Sequence, residues 1–228
     1  MSSCFPDRIV RRAFTSPITI GRIERREGIQ VDDLETALRK LSDQGVEEVT
    51  VFPTQVVEGF QMDQIREVSD QSRRGFERLS VVPPLLSTDG DMSAFLDELP
   101  HVYPDAFASG SALVMMGHGS SPASIGAFRR LQELADAKGI DAFFIVPEGG
   151  PVIGDVIPRL RSAGKDRVCL APLMFEAGYH AKRDMASEKG PIRSVLIREG
   201  FGTEAVMLGL SEIDVFRRMF LEHLREFL

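Results

Sequence analysis

The chain has 228 residues, with 27 basic and 34 acidic side chains, a formal net charge of −7, two cysteines and no tryptophan. This acidic balance argues against duplex nucleic acid as the main partner, because binding to phosphates needs a basic face. No apolar run approaches the roughly 18 residues of a membrane-spanning helix. No signal-peptide pattern opens the chain, and the low cysteine content fits a reduced interior, so we expect a cytoplasmic protein with no membrane or nucleic-acid partner.

Short β-branched segments alternate with longer amphipathic segments along the chain. The predicted strands are residues 8–14, 46–52, 79–82, 113–116, 141–146, 167–171 and 203–207. The predicted helices are residues 17–27, 32–44, 60–76, 92–99, 122–138, 152–162, 181–187, 192–199 and 212–227. Several strands are apolar almost throughout, which is typical of parallel sheets covered by helices on both faces. The predicted fold class is therefore α/β.

An internal similarity refines this prediction. Residues 45–59 and 164–178 both contain a helix stop, a buried strand, a proline at its carboxyl end and a loop that ends in glycine. The similarity predicts two lobes, at 1–105 and 106–228, each a parallel sheet flanked by helices, although any two α/β units share part of this pattern. The first lobe supplies only three predicted strands and is expected to lack an opening strand. Ligands of open α/β sheets bind beyond the carboxyl ends of the strands, so the cleft between the lobes is the expected site.

Three polar side chains follow three consecutive predicted strands of the second lobe. His118 follows strand 113–116, Glu148 follows strand 141–146, and His180 follows strand 167–171. Two neutral imidazoles and a carboxylate with open coordination positions suit a borderline divalent ion such as Co²⁺, Fe²⁺, Ni²⁺ or Zn²⁺. From spacing alone, two interpretations remain open: a metal site, or three unrelated solvated residues.

Other polar residues lie near the same strand ends. Asp184 lies four residues after His180 and shares its face if the segment is helical, so it could orient the imidazole. Four cations could meet an anionic ligand: Arg11, Arg12, Lys182 and Arg183.

A serine hydrolase is a weaker alternative. Ser120 or Ser121 with His180 would supply a nucleophile and a base, but the nucleophile-elbow pattern lacks its last glycine. Ser121 before Pro122 is better explained as a helix cap.

These residues resemble the sirohydrochlorin cobaltochelatases of the anaerobic pathway, a class II-type family of tetrapyrrole metal chelatases. The matching stretches are RAFTS at 12–16, HGS at 118–120, EG at 148–149, APLM at 171–174, AGYHAKRDMA at 177–186, GLSE at 209–212 and FLEHL at 220–224. The most specific part is the spacing of 30 residues from His118 to Glu148 and 32 residues from Glu148 to His180. The resemblance runs along essentially the whole chain.

The resemblance implies that His118, Glu148 and His180 bind the metal ion that faces the tetrapyrrole. It also implies Co²⁺ insertion into sirohydrochlorin, early in cobalamin synthesis, with the divalent metal as a substrate and no organic cofactor. Insertion of iron or nickel is the nearest alternative, and a non-catalytic tetrapyrrole or metal binder is another. The substrate is a polycarboxylate, so Arg11, Arg12, Lys182 and Arg183 are expected to receive it. The sequence leaves open whether the chain forms a homo-oligomer.

Two features depart from the family pattern. The opening strand and the Gly/Ser/Thr-rich loop that frames the tetrapyrrole are expected to be missing from this sequence. Gln55 also stands where many members of the family have a histidine.

Overall fold

The computed structural model describes residues 5–119, 121–147 and 149–228. In these residues the helices and strands are, in chain order, α1 (Pro17–Glu27), α2 (Leu34–Asp43), β1 (Glu48–Val51), α3 (Phe60–Ser72), β2 (Arg78–Val81), α4 (Asp89–Val102), β3 (Ser111–Met116), α5 (Pro122–Lys138), β4 (Ala142–Ile145), α6 (Ile153–Ser162), β5 (Arg167–Pro172), α7 (Arg193–Arg198), β6 (Gly202–Ala205) and α8 (Asp214–Arg225). Short 3-10 helices form at Arg73–Gly75, Pro104–Phe107 and Leu210–Glu212, and a π-helix forms at Ala181–Ala186.

The contacts within the chain define two compact units. The first comprises Met1–Pro53, Gln61–Val82 and Phe227–Leu228, and the second comprises Thr54–Phe60 and Pro83–Glu226. This division places residues 83–105 in the second unit, whereas the sequence-based division places them in the first lobe. The lobes at 1–105 and 106–228 stay a prediction.

The first unit contains a parallel pair of strands, β1 and β2, aligned from Glu48 beside Arg78 to Val51 beside Val81. Helix α2 begins where the Asp33 carboxylate accepts a hydrogen bond of 2.8 Å from the Thr36 amide, a cap that satisfies one unpaired donor of the first turn. Apolar residues on one face of α2 are buried, whereas α1 buries none of its eleven residues.

The second unit contains a parallel sheet with the strand order β4-β3-β5-β6. Successive side chains of a strand point to opposite faces. One face of β3 therefore carries Val114 and Met116, which pack in one core cluster with Leu160 of α6 and Leu196 of α7. The alternate residues of β3 are equally buried, and every residue of this strand lies below 9% exposure. The α/β fold class, with parallel sheets flanked by helices, is confirmed.

The predicted strand at residues 8–14 is wrong. In the described residues this segment makes only an isolated bridge, between Phe14 and Asp33, and no ladder. Ile9 and Val10 gave the segment its strand-like pattern, but they are 71% and 42% exposed. Strand propensity reflects packing on a half-buried surface, and this segment has no such surface. Two strands, β1 and β2, therefore form the sheet of the first unit in the described residues.

None of the helices in the described part of the chain combines the length and the apolar character that a membrane crossing requires.

A carboxylate of the second unit supports a prediction about stability. Asp91 of α4 accepts hydrogen bonds from the amide and hydroxyl of Thr88, at 2.9 and 2.7 Å, and lies 3.1 Å from Nε2 of His223 in α8. Asp91→Asn is expected to lower the free energy of unfolding by about 1 kcal/mol, the usual size of a lost capping interaction. Urea unfolding at pH 7 measures this difference, and an equally stable variant would contradict it.

The effect of Asp91→Asn should depend on pH. Burial alone would raise the pKa of Asp91, but the hydrogen bonds from Thr88 and the nearby His223 outweigh burial and hold this pKa below its ordinary value. A carboxyl group with a lowered pKa in the folded state stabilises that state above the ordinary pKa, and the contribution is lost as pH falls through the lowered value. The difference in stability should therefore shrink as pH falls below about 4.

Candidate metal site

The candidate site lies beyond the carboxyl ends of two neighbouring parallel strands of the second unit. β3 and β5 pair in register as far as Met116 beside Pro172, and the Leu173 amide donates to the Met116 carbonyl at 2.7 Å. The segments that follow β3 and β5 therefore leave the sheet at the same edge. The loop after β3 carries His118, and the segment after β5 leads to His180.

Close packing behind His118 explains the glycine before it. A Cβ atom at Gly117 would clash with the ring of Phe128 from α5. The Gly117 amide also donates to the Ile145 carbonyl at the end of β4, at 2.9 Å. Glycine thus lets the loop pack closely against α5 while its amide stays hydrogen-bonded to β4. His118 follows in an exposed position.

His180 lies directly before the π-helix Ala181–Ala186. Its ring meets the ring of His118 edge to face, with centroids 5.0 Å apart and planes at 89°. Nδ1 of His180 lies 2.7 Å from a carboxylate oxygen of Asp184, whose side chain is only 14% exposed. This contact favours the tautomer that carries the proton on Nδ1 and leaves Nε2 free to bind a metal ion. The structure thus places Asp184 beside His180, although the segment is a π-helix and not an α-helix, and the orienting role of Asp184 stays a prediction.

The environment of His118 favours the neutral form of its ring. The surrounding protein atoms and the neighbouring His180 lower the pKa of His118 below its ordinary value, and the Asp184 carboxylate opposes this shift in part. Part of the side chain still reaches solvent. A neutral imidazole is the form that binds metal ions.

The third predicted ligand, Glu148, lies outside the described residues. Within residues 5–119, 121–147 and 149–228, no group of three or more His, Cys, Asp or Glu side chains is arranged to hold a metal ion. The described site is therefore a pair of histidines with an orienting carboxylate. Its completion by Glu148 stays a prediction.

One side chain near this pair was missed by the sequence analysis. The ring of Tyr179 meets the ring of His180 edge to face at 5.7 Å, and its hydroxyl accepts a hydrogen bond of 3.1 Å from Arg183. This bond, with the electrostatic influence of Tyr179 and of the Asp184 carboxylate, raises the pKa of Arg183 above its ordinary value. The available signal was the spacing of four residues between Tyr179 and Arg183, which places both on one helical face. Lys182 and Arg183 are both exposed beside His180.

The other predicted cations lie in the first unit. Arg11 donates to the side chain of Gln44 at 2.9 Å, and the Arg12 guanidinium lies 5.3 Å from the centre of the Phe14 ring. The role of both in binding substrate stays a prediction.

The serine hydrolase alternative gains no support from the described residues. The Ser121 hydroxyl accepts from the Ser124 amide at 3.2 Å and caps α5, with Pro122 at the first helical position. This is the helix cap that the sequence predicts. Ser120 lies outside the described residues.

Comparisons with known proteins agree on one family. A family model described as cobalt chelatase (CbiK) matches residues 1–228. The chain is 33% identical over 226 residues to the sirohydrochlorin cobaltochelatase of Salmonella typhimurium, covering 99% of this chain and 85% of the relative. It is 28% identical over 223 residues to the sirohydrochlorin cobaltochelatase CbiKC of Nitratidesulfovibrio vulgaris, covering 96% and 79%.

A solved structure shows the same fold. SirB from Bacillus subtilis with Fe3+ is similar with a TM-score of 0.56 and 14% identity, over 92% of this chain and 86% of SirB. At this identity the likeness concerns the fold alone. With the family match over its whole length and the relative at 33% identity, the chain belongs to the CbiK family of cobalt chelatases.

Proposed function

We propose that this chain inserts Co²⁺ into sirohydrochlorin, with His118, Glu148 and His180 as metal ligands and catalytic residues. The observation that carries this proposal is the approach of the two histidine rings to 5.0 Å at the carboxyl ends of β3 and β5, in a chain of the cobalt chelatase family. Two relatives named sirohydrochlorin cobaltochelatase support the identity of the tetrapyrrole.

The reaction exchanges two pyrrole N–H protons for one Co²⁺ ion. A site with few protein ligands leaves coordination positions for pyrrole nitrogens. As the metal passes from an imidazole to the tetrapyrrole, the freed imidazole nitrogen regains its lone pair and accepts a pyrrole proton. His118 and His180 are suited to both roles because imidazole serves as a metal ligand and as a base near neutral pH.

Cations beside the site are suited to the carboxylates of the substrate. Lys182 and Arg183 follow His180 directly and are exposed, and an arginine can bind a carboxylate through two parallel hydrogen bonds. Arg11 and Arg12 of the first unit complete the proposed set. We assign no organic cofactor and no nucleic-acid or membrane partner, and the low cysteine content supports a cytoplasmic location.

The decisive experiment is anaerobic incubation of sirohydrochlorin with Co²⁺ and increasing amounts of the chain. The absorption spectrum of the free tetrapyrrole should disappear at a rate proportional to protein concentration and above the rate without protein. Parallel reactions with Ni²⁺ and Fe²⁺ rank the metals, since ligand affinity by itself would favour nickel over cobalt. Loss of spectrum that stops at one equivalent of protein would indicate a binding protein instead of an enzyme.

Asp184 is expected to act by orienting His180. Asp184→Asn keeps the size of the side chain but removes the charge that holds the proton on Nδ1 of His180. We expect Co²⁺ affinity or insertion rate to fall about 10- to 100-fold, the usual effect of losing a carboxylate that orients a ligating histidine. Calorimetric titration with Co²⁺ measures the change. Unaltered affinity and rate in a folded variant would show that the 2.7 Å contact has no part in metal binding.

A further inference from the structure

Four side chains after β5 form a closed cycle of contacts beside the histidine pair. The ring of Tyr179 meets the ring of His180 at 5.7 Å, and Nδ1 of His180 lies 2.7 Å from one carboxylate oxygen of Asp184. The other oxygen of Asp184 lies 3.5 Å from Nε of Arg183, and the Arg183 guanidinium donates to the Tyr179 hydroxyl at 3.1 Å. Each member of the cycle is therefore held by two others.

Tyr179 and Arg183 are open to solvent although the cycle holds them. Tyr179 is 55% exposed, and the side chain of Arg183 is 66% exposed. An exposed arginine ordinarily samples many rotamers, and a ligand that orders it must offset the lost conformational entropy. The contacts with Tyr179 and Asp184 order the guanidinium before a ligand arrives.

The guanidinium also keeps donors for a ligand. Arginine has five N–H donors in a planar fork. One of them binds the Tyr179 hydroxyl, and Nε faces the Asp184 carboxylate. The other donors can bind the two oxygens of a carboxylate in the parallel arrangement that makes such pairs strong.

The orientation of the Tyr179 ring suits the face of a planar macrocycle. An imidazole binds a metal ion through a lone pair that lies in the plane of its ring. A macrocycle that takes the ion from His180 therefore crosses the plane of that imidazole at a steep angle. The Tyr179 ring stands at 84° to the His180 ring, so it can lie parallel to the macrocycle and stack on it.

We propose that Tyr179 is a substrate-contact residue of Co²⁺ insertion: its ring packs on the tetrapyrrole macrocycle, and its hydroxyl holds Arg183 for a carboxylate of the same molecule. The inference rests on the proposed function, because it needs a tetrapyrrole with carboxylate side chains beside His180. It assigns Tyr179 to binding and orienting the macrocycle, not to metal binding or proton transfer. Single exposed apolar side chains are normal, and the contacts with His180 and Arg183 set Tyr179 apart from the others.

The first arm of the test observes the contact itself. The chain has two tyrosines and no tryptophan, so labelling with 3-fluorotyrosine gives two ¹⁹F signals, which Tyr179→Phe assigns. Metal-free sirohydrochlorin, added to the full chain under anaerobic conditions, should move the Tyr179 signal in a saturable way. The Tyr103 signal should stay in place, since Tyr103 is only 5% exposed. A Tyr179 signal that does not move while absorbance shows saturable binding of sirohydrochlorin would overturn the inference.

The second arm separates the hydroxyl from the ring. Tyr179→Phe should weaken sirohydrochlorin binding about threefold, Arg183→Gln about tenfold, and Tyr179→Leu, which also removes the aromatic face, at least about tenfold. Because the hydroxyl acts through Arg183, Tyr179→Phe should have almost no further effect in the Arg183→Gln protein, whereas Tyr179→Leu should still weaken binding there. Additive effects of Tyr179→Phe and Arg183→Gln, or unchanged binding by Tyr179→Leu, would contradict the assignment.

Kinetics distinguish a contact with the substrate from a general loss of structure. In Tyr179→Leu the KM for sirohydrochlorin should rise together with its Kd, while the affinity for Co²⁺, measured by calorimetry, stays within about twofold. Ile197→Ala on α7 is the matched control, because it removes apolar atoms from a side chain that is 45% exposed and should leave both constants unchanged. A loss of Co²⁺ affinity as large as the loss of sirohydrochlorin binding would show that Tyr179 only supports His180, and would refute the contact.

Failure of the proposed function would give a different result. An unmodified chain that binds sirohydrochlorin but inserts no Co²⁺ would refute the reaction, while the ¹⁹F signal and the Kd values of the variants would still decide the contact. An unmodified chain that does not bind sirohydrochlorin would refute both. Full insertion by the unmodified chain and by Tyr179→Leu, with equal KM, would refute the contact alone.

Discussion

Replacing His180 by alanine is expected to lower the rate of Co²⁺ insertion by about 10²- to 10⁴-fold, the range typical of a lost proton acceptor. The change removes a metal ligand and a base at once, and it leaves His118 without the ring that lies 5.0 Å away. His118→Ala should have a similar effect for the same reason. His180 is exposed, so the free energy of unfolding should change little, and the loss of rate should not come from loss of fold.

His101→Ala is the matched control for this experiment. His101 is 80% exposed at the end of α4, and its Nδ1 lies 3.9 Å from the nearest carboxylate oxygen, of Glu98. Its loss should leave the insertion rate within about twofold of the unmodified chain, since exposed side chains away from a site change little. Initial rates and thermal unfolding of all three variants complete the comparison. A His180→Ala protein that keeps more than half of the rate would remove this residue from the proposed ligand set.

The central strands of the second unit could be predicted because they are short runs of apolar residues, typical of strands covered on both faces. β3 is buried along its whole length and β4 contains two adjacent phenylalanines, so both need cover on two faces. The start of α5 was equally predictable, since Ser121 and Pro122 satisfy local capping rules that do not depend on the rest of the fold.

The edge at which β3 and β5 end was also predictable, and with it the placement of His118 and His180 beyond that edge. Parallel strands bring their carboxyl ends to one edge, whatever the sequence of the loops. The spacing in the sequence carries no information on whether two rings approach to 5.0 Å or 10 Å, because this depends on how the loops pack. Tyr179 and its bond to Arg183 depend on the same packing.

The shape of the segment after His180 could not be predicted from periodicity. Spacing of four residues between His180 and Asp184 predicts one face of an α-helix, but the segment winds as a π-helix over Ala181–Ala186. π-helical turns are uncommon and often occur at functional sites. The turn is in contact with the chain that follows it: the Ile192 amide donates to the Asp184 carbonyl at 3.3 Å, and Gly190 packs against the carbonyls of Arg183 and Asp184. Periodicity carries no information on such contacts.

Gly190 permits this return of the chain, and Gly190→Ala is expected to lower both stability and activity. The residue is buried, and a Cβ atom there would clash with the Arg183 carbonyl and lie 3.1 Å from the carbonyls of Asp184 and Ser187. These are backbone atoms, which cannot move aside as a flexible side chain can. We expect a loss of about 1–3 kcal/mol in the free energy of unfolding, the usual cost of overpacking.

The same substitution at Gly126 separates this effect from a general effect of alanine. Gly126 lies inside α5, and a Cβ atom there would meet nothing within 4 Å. Gly126→Ala should therefore raise stability by about 0.5–1 kcal/mol, because alanine loses less conformational freedom than glycine in a helix. Urea unfolding of the two variants should thus give changes of opposite sign.

Gly190→Ala should also lower the insertion rate, because the added Cβ atom would clash with the π-helix that follows His180. Displacing the carbonyls of Arg183 and Asp184 moves the turn that holds the Asp184 carboxylate 2.7 Å from Nδ1 of His180. A misplacement of about 1 Å at a reacting centre can cost about 100-fold in rate. The insertion rate of the folded variant should therefore fall at least about tenfold, whereas Gly126→Ala keeps the full rate. If Gly190→Ala were as stable and as active as the unmodified chain, the π-helix would not be the element that fixes the geometry of His180.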